Sequence, residues 1–336
     1  ALFHHAQLAY ELSFDPYSEA VRALRQYLAE YPNSSRNDEA YEFLYNIALA
    51  TRNYKDALDA LDNIRSKDTE HRKNYQKILY YRGIELFNQA DFEEAVSHLK
   101  RSSEMDADKK IAAKSLFWIG EAFYRQGNYW SAEKYLTDFQ QSPSSFGMPE
   151  YYLAYYDLGY IYYKKQEYGN SIIEFRKFAE SDPGYPDLIA DAGIRIADAY
   201  YVLRKYDNAI HWYDKAIATD RGETDYALFQ KAISLGVLQR NEEKITTLNA
   251  LISRYPRSPR ITDALYELGN TYQITSRNEM ALRSFKEITN DYPQSSNVGK
   301  AMLKTGLIYY NGGQNDLAIA TFKKVVDRFP ATPESK

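Results

Sequence analysis

Residues 265–293 read LYELGNTYQITSRNEMALRSFKEITNDYP. Gly269 is followed twelve residues later by Ala281, which is followed after four more by Phe285 and after twelve by Pro293. The next stretch answers in register with Gly306, Ala318, Phe322 and Pro330. Outward from these two, the alanine slot recurs as Ala20, Ala57, Ala95, Ala132, Ser171, Ala209, Lys244, Ala281 and Ala318, at intervals of 35–39 residues. Self-similarity at such a period denotes a stack of supersecondary units and not one globular core.

The positions around the slot carry a packing code. Twelve residues before it stand Gly83, Gly120, Gly159, Ala197, Ala232, Gly269 and Gly306. Four residues after it stand Leu24, Leu61, Leu99, Leu136, Phe175, Tyr213, Leu248, Phe285 and Phe322. A small residue on one helix and alanine on the next let two axes approach. The large residue one turn on shares the alanine's face and fills the gap. Proline at 32, 183, 256, 293 and 330 cannot continue a helix and closes the unit. Each unit is therefore helix A, short turn, helix B and loop. The turns, such as Arg52-Asn53-Tyr54, Ala90-Asp91-Phe92 and Gly127-Asn128-Tyr129, supply a helix end, an N-cap and an aromatic able to fold back. Asp15-Pro16 reads as an N-cap followed by proline at the first helical position.

On these residues the chain resembles the tetratricopeptide repeat (TPR) family, most strongly over Leu265–Gly269 with Tyr272, Ala281, Phe285 and Pro293. The resemblance implies an all-α, right-handed α-α superhelical solenoid of about nine helix-turn-helix repeats over residues 1–336. The repeats run 1–36, 37–74, 75–111, 112–149, 150–188, 189–223, 224–260, 261–297 and 298–336. Ala20, Ala57, Ala95, Ala132, Ala209, Ala281 and Ala318, with Gly83, Gly120, Gly159, Gly269 and Gly306, are its packing residues. The period departs from the usual 34 residues. Leu8 and Glu11 depart from the pattern in the first repeat, Tyr45 holds a small position, and Lys244 replaces alanine. The helix pair carrying Lys244 is expected to splay or pack differently. Residues 142–149 form the longest irregular stretch and are the candidate hinge, the plainer alternative being a longer inter-repeat loop. The start at Ala1 and the stop in a loop read as a piece of a longer polypeptide.

Composition narrows the functional classes. A formal charge of −4 argues against nucleic acid as the main partner. No apolar run approaches the ~20 residues that span a bilayer. There are no cysteines, hence no disulfide, thiol chemistry or cysteine metal site. His4-His5 cannot share a helix face, and no nucleophile elbow, P-loop or HExxH occurs. No catalysis, cofactor or metal is expected.

Tyrosine is the outlier, with 33 residues. Phe123, Tyr162, Tyr200, Tyr272 and Tyr309, three after the small position, fit the core of each repeat. Phe87, Tyr124, Tyr163, Tyr201 and Tyr310, one step on, point about 100° away, toward the concave wall in the TPR arrangement. Tyr156, Tyr160, Tyr266 and Asn270 join that wall. Tyr124, Tyr156, Tyr160, Tyr163, Tyr201, Tyr266, Asn270 and Tyr310 are thus the candidate groove, suited to an extended peptide or partner helix; the plain alternative is helix packing. The carboxylate clamp of chaperone-binding TPR domains is missing, since Asn46 and Asn270 stand isolated.

The loops Tyr31-Pro32-Asn33-Ser34, Tyr255-Pro256-Arg257-Ser258, Tyr292-Pro293-Gln294-Ser295 and Phe329-Pro330-Ala331-Thr332 share the form aromatic-Pro-x-Ser/Thr, a stop and then an N-cap. They resemble long-period TPRs of bacterial envelope proteins of the BamD and YbgF/CpoB types. That resemblance implies a periplasmic or outer-membrane-associated adaptor; a cytoplasmic location is the alternative. The expected function is a protein–protein interaction scaffold with a protein or peptide partner. The alternatives are a regulatory or substrate-docking arm of a larger enzyme or signalling protein, and a self-assembling array.

Overall fold

The computed structural model describes residues 16–65, 67–181 and 183–329. His4, His5, Leu8, Glu11, Asp15 and Pro330 lie outside the described residues. Those residues form seventeen helices and no strand, and none of the helices is long and apolar enough to cross a membrane. The chain divides into two compact units, Ala1–Lys165 and Gln166–Lys336.

The first unit holds α1 (Pro16–Glu30), α2 (Asn37–Ala50), α3 (Tyr54–Asn63), α4 (Thr69–Asn88), α5 (Phe92–Ser103), α6 (Lys109–Arg125), α7 (Tyr129–Gln141) and α8 (Pro149–Lys164). The second holds α9 (Tyr168–Glu180), α10 (Pro186–Val202), α11 (Tyr206–Thr219), α12 (Thr224–Val237), α13 (Asn241–Arg254), α14 (Ile261–Ile274), α15 (Asn278–Asp291), α16 (Val298–Asn311) and α17 (Asn315–Arg328). The two types of helix alternate as the sequence predicts. Residues 142–149 lie inside the first unit. There Ser145 donates its N–H and its Oγ–H to Ser142 O (3.1 and 2.7 Å), and Met148 N–H donates to Ser145 O (3.0 Å).

The turn from helix A to helix B repeats in backbone detail. Arg52, Ala90, Gly127, Arg204, Gln239, Ser276 and Gly313 all have φ between +57° and +74°. Each lies five residues before the alanine slot. The next residue donates its N–H to a carbonyl five back: Asn53 to Ala48 (2.8 Å), Asn128 to Phe123 (2.9 Å), Arg277 to Tyr272 (2.8 Å). This is the Schellman closure, which consumes a carbonyl the helix end would otherwise leave unpaired. Asn53, Asp91 and Asn128 then cap helix B, accepting from the N–H of Asp56, Glu94 and Ser131.

The inter-repeat loops differ from the expected cap. Ser34, Ser258 and Ser295 are not N-caps; helix A starts three residues later, at Asn37, Ile261 and Val298. Each serine N–H closes a turn onto the tyrosine carbonyl, and its Oγ accepts from the N–H two residues on. The serine therefore bends the chain into a tight turn before the helix begins.

The core follows the small-against-large code. Ala20, Ala57, Ala95, Ala132, Ala209 and Ala281 are fully buried, as is Ser171, and Ala318 is nearly so. A Cβ on Gly83 would fall 2.5 Å from Leu99 Cγ, and one on Gly120 2.6 Å from Leu136 Cγ. On Gly269 it would fall 2.5 Å from Phe285 Cε1, and on Gly306 it would collide with Phe322. The large residue thus sits directly on the glycine.

Lys244 does not splay its helix pair. Leu248 and Leu251 beside it are fully buried. The lysine is 7% exposed, and its ammonium meets Glu267 at 2.6 Å. A Cβ on Gly236 would lie 3.1 Å from Lys244 Nζ and 3.2 Å from its Cδ. The lysine stem crosses a glycine to bring its charge to a carboxylate on the next helix.

Candidate functional site

The wall built by the A helices is the candidate site, and each unit carries its own part of it. In the first unit the wall is formed by α4, α6 and α8. Positions 114, 118, 121 and 125 fall on one stripe of α6 by helical spacing. They are Lys114, Trp118, Glu121 and Arg125. Lys114 Nζ reaches Glu150 on α8 at 3.2 Å. Trp118 packs edge-on against Phe87 of α4, with ring centroids 5.0 Å apart. Tyr80 lies in the same cluster, and burial pushes its hydroxyl up to about 12.

Glu121 on α6 and Asp157 on α8 form a carboxyl pair in which each group acts on the titration of the other. Burial raises both above the usual carboxylate range, and for Asp157 the Glu121 charge raises it further. Arg125, 4.0 Å from Glu121, pulls both the other way. Two buried carboxyls that raise each other in this way favour holding one proton between them.

Such a raised folded-state pKa has a fixed sign. Its stabilising contribution is full below the unfolded carboxylate pKa and is lost as pH rises through the folded value. Asp157→Asn is therefore expected to stabilise the first unit at neutral pH, by on the order of 1 kcal/mol. The gain in melting temperature over wild type should shrink as pH falls toward 4. Thermal unfolding followed by circular dichroism at a series of pH values measures it, and a gain independent of pH refutes the shared proton.

In the second unit Asp198 occupies the register of Glu121, one residue after the small position. It is 6% exposed. It accepts from Tyr213 OH (2.7 Å), Tyr226 OH (3.0 Å) and Arg195 Nη1 (2.9 Å). Burial pushes Asp198 upward, and these three donors act against that. Arg195 also reaches Asp191 at 3.2 Å and Glu223 at 3.1 Å. Asn270 holds the same register on α14, with its Oδ1 buried and without a hydrogen-bond partner.

The eight candidate groove residues separate on this frame. Tyr156 and Tyr160 are half-buried on α8 and meet edge to face at 5.1 Å. Tyr124 packs on Tyr129 at 5.8 Å and Tyr201 on Tyr206 at 5.5 Å, so each clasps the first residue of its own helix B across the turn. Phe87 and Phe92 repeat that clasp at 5.3 Å. Tyr266 leans on Phe285 at 5.8 Å, against the core. Tyr163 is half-buried, and Tyr310 is 61% exposed. Of the companion set, Tyr272 is in the core and Phe123 stacks on Tyr135.

Lys114, Trp118, Glu121, Asp157 and Asp198 went unread in the sequence. Their signal was available. Glu121 and Asp198 follow small residues as Tyr160 and Asn270 do, but the tyrosine count drew the reading to aromatic occupants of that register. Among the described residues no group of three His, Asp or Glu side chains could hold a metal ion. The wall offers ring faces, paired charges and a buried carboxyl pair, which are means of non-covalent recognition.

Three models of the tetratricopeptide repeat match the chain, at residues 1–34, 226–258 and 300–332, at 80–146, and at 152–185 and 190–222. Together they cover more than half of it. No curated protein matches the sequence. Among solved structures, the C-terminal part of a TPR repeat-containing protein from Cytophaga hutchinsonii aligns with a TM-score of 0.61 at 12% identity, over 76% of this chain and 97% of that one. A signal transduction ATPase with numerous domains and a tetratricopeptide repeat sensor, from Pyrococcus horikoshii, aligns at 0.54 and 17% identity, over 96% of this chain and 54% of that one. The MamA protein aligns at 0.46 and 20% identity, over 54% of this chain and 92% of that one.

Proposed function

Because the chain belongs to the tetratricopeptide repeat family, we propose that it is a non-catalytic interaction scaffold that holds a peptide or partner protein against its A-helix wall. One observation carries this reading. Tyr156 and Tyr160 form a half-exposed ring pair on α8, and Tyr160 stands one turn from Asp157 of the shared carboxyl pair. Large flat faces beside a polar group that can donate or accept are what a bound backbone and its side chains use. Tyr163, a further turn along, extends the stripe.

Tyr160→Ala combined with Tyr163→Ala tests the site. Helix content and melting should be retained, while partners captured by the wild-type array are lost or bind at least about tenfold more weakly. Collapse of the fold would place both rings in the core; unchanged capture would move the site elsewhere.

The aromatic-Pro-x-Ser loops support a place in the bacterial cell envelope. Osmotic-shock fractionation of cells expressing the full-length gene should release the protein, or retain it with the outer membrane. Recovery with cytosolic markers overturns that placement.

A further inference from the structure

A cleft of about 600 Å³ lies between the B helices α15 and α17 in the second unit. Leu282, Met302 and Tyr309 give it an apolar lining, Met302 and Tyr309 coming from α16 between them. Arg283 and Lys286 stand on one rim and Lys324 on the other. Arg328, also on the second rim, is engaged with Pro293 O at 2.8 Å. Glu279 is the one carboxylate among the lining residues.

The register shows what is unusual here. Arg176 stands five residues after the slot at Ser171 and is held by Glu180, nine after it, at 3.0 Å. Lys286 is the counterpart of Arg176, five after Ala281, but the residue nine after is Asn290. An amide thus stands where Arg176 has its carboxylate. Arg283, Lys286 and Lys324 have no carboxylate partner among the described residues, whereas Arg240, Arg254 and Arg277 in the same unit are each bonded to an acid about one repeat away. In a chain of formal charge −4, this is a local concentration of uncompensated positive charge around an apolar floor.

We propose that this cleft docks an acidic amphipathic helix of a partner protein, with its leucine-type face on Leu282, Met302 and Tyr309 and its carboxylates against Arg283, Lys286 and Lys324. A recess lined from α15, α16 and α17 suits a rod better than a flat anionic surface. The site lies between B helices and does not depend on the wall that Tyr160 marks.

The test uses a fluorescein-labelled synthetic helix of about 14 residues, the length of α17, with leucine on one face and glutamate on the other. Fluorescence anisotropy should show saturable binding to the wild-type protein that weakens with added salt. The glutamine version of the peptide should bind at least about tenfold more weakly. Lys286→Glu with Lys324→Glu should lose binding by a similar factor, and Lys323→Glu, exposed and outside the cleft, should not. Should the double reversal fail to fold by circular dichroism, Lys286→Gln with Lys324→Gln replaces it and must weaken binding. Absence of wild-type binding, equal loss in Lys323→Glu, or tighter binding to phosphatidylglycerol vesicles with the same sensitivity to Lys286 and Lys324 each overturns the proposal.

Discussion

Gly269→Ala is expected to destabilise the second unit by about 3 kcal/mol, at the upper end of overpacking costs, although alanine is the better helix former. The new methyl would sit 2.5 Å from Phe285 Cε1 and 2.7 Å from its Cζ. That ring is fully buried in the core that links α14 and α15, so it cannot swing aside without displacing its neighbours. The same substitution at Gly193 should have the opposite sign. There the added Cβ finds only Ala216 Cβ, at 3.7 Å, in ordinary contact. The helix then gains about 0.5–1 kcal/mol from replacing glycine. Urea unfolding of both variants measures the pair of effects. Phe285→Leu should recover part of the loss at Gly269, and equal costs at the two glycines would refute the ring-on-glycine account.

Asp198→Ala should cost about 3 kcal/mol, because it strands groups that the carboxylate serves together. Tyr213, 1% exposed, would lose the acceptor that Asp198 offers its hydroxyl, and Tyr226 and Arg195 would each lose a bond. Arg195 keeps Asp191 and Glu223, so its charge is not abandoned. Asp198→Asn retains an oxygen for the two hydroxyls and should cost about 1 kcal/mol. Thermal and urea unfolding of both variants decide between them. Equal losses would mean that the charge, and not the acceptor geometry, holds the node.

The architecture was legible because its code is one of volume and backbone. A glycine twelve residues before an alanine, with a leucine or phenylalanine four after it, states which faces meet. Those faces belong to neighbouring helices, within reach of a short pattern. The fold-back of Tyr129 over its turn was legible for the same reason, whereas its partner there, Tyr124, was read as a residue of the open wall. The carboxyl pair was not legible. Glu121 and Asp157 are 36 residues apart, and each alone is an ordinary charged residue on a helix. Only the stacking of successive A helices makes them neighbours. Of the two outcomes expected at Lys244, splaying or different packing, the structure shows the second, and its means were not legible because they lie at two other places, Gly236 beneath the stem and Glu267 at the tip. The serine loops show a finer limit: the stop was visible, but the added turn before the helix depends on backbone angles that the residue type does not fix.

The repeated left-handed turn also governs where the chain tolerates a change of length. Within each hairpin the spacing from small residue to slot is twelve, and the turn residue falls five before the slot at every described repeat. One residue added there would rotate helix B by about 100° and swing its alanine and its large residue off the glycine they cover. The variation of 35–39 residues between slots is instead taken up between one hairpin and the next. Insertions, tags or protease sites placed between hairpins should therefore be absorbed one by one, whereas a single residue inserted into a turn such as Ala90-Asp91 should disable the hairpin that contains it.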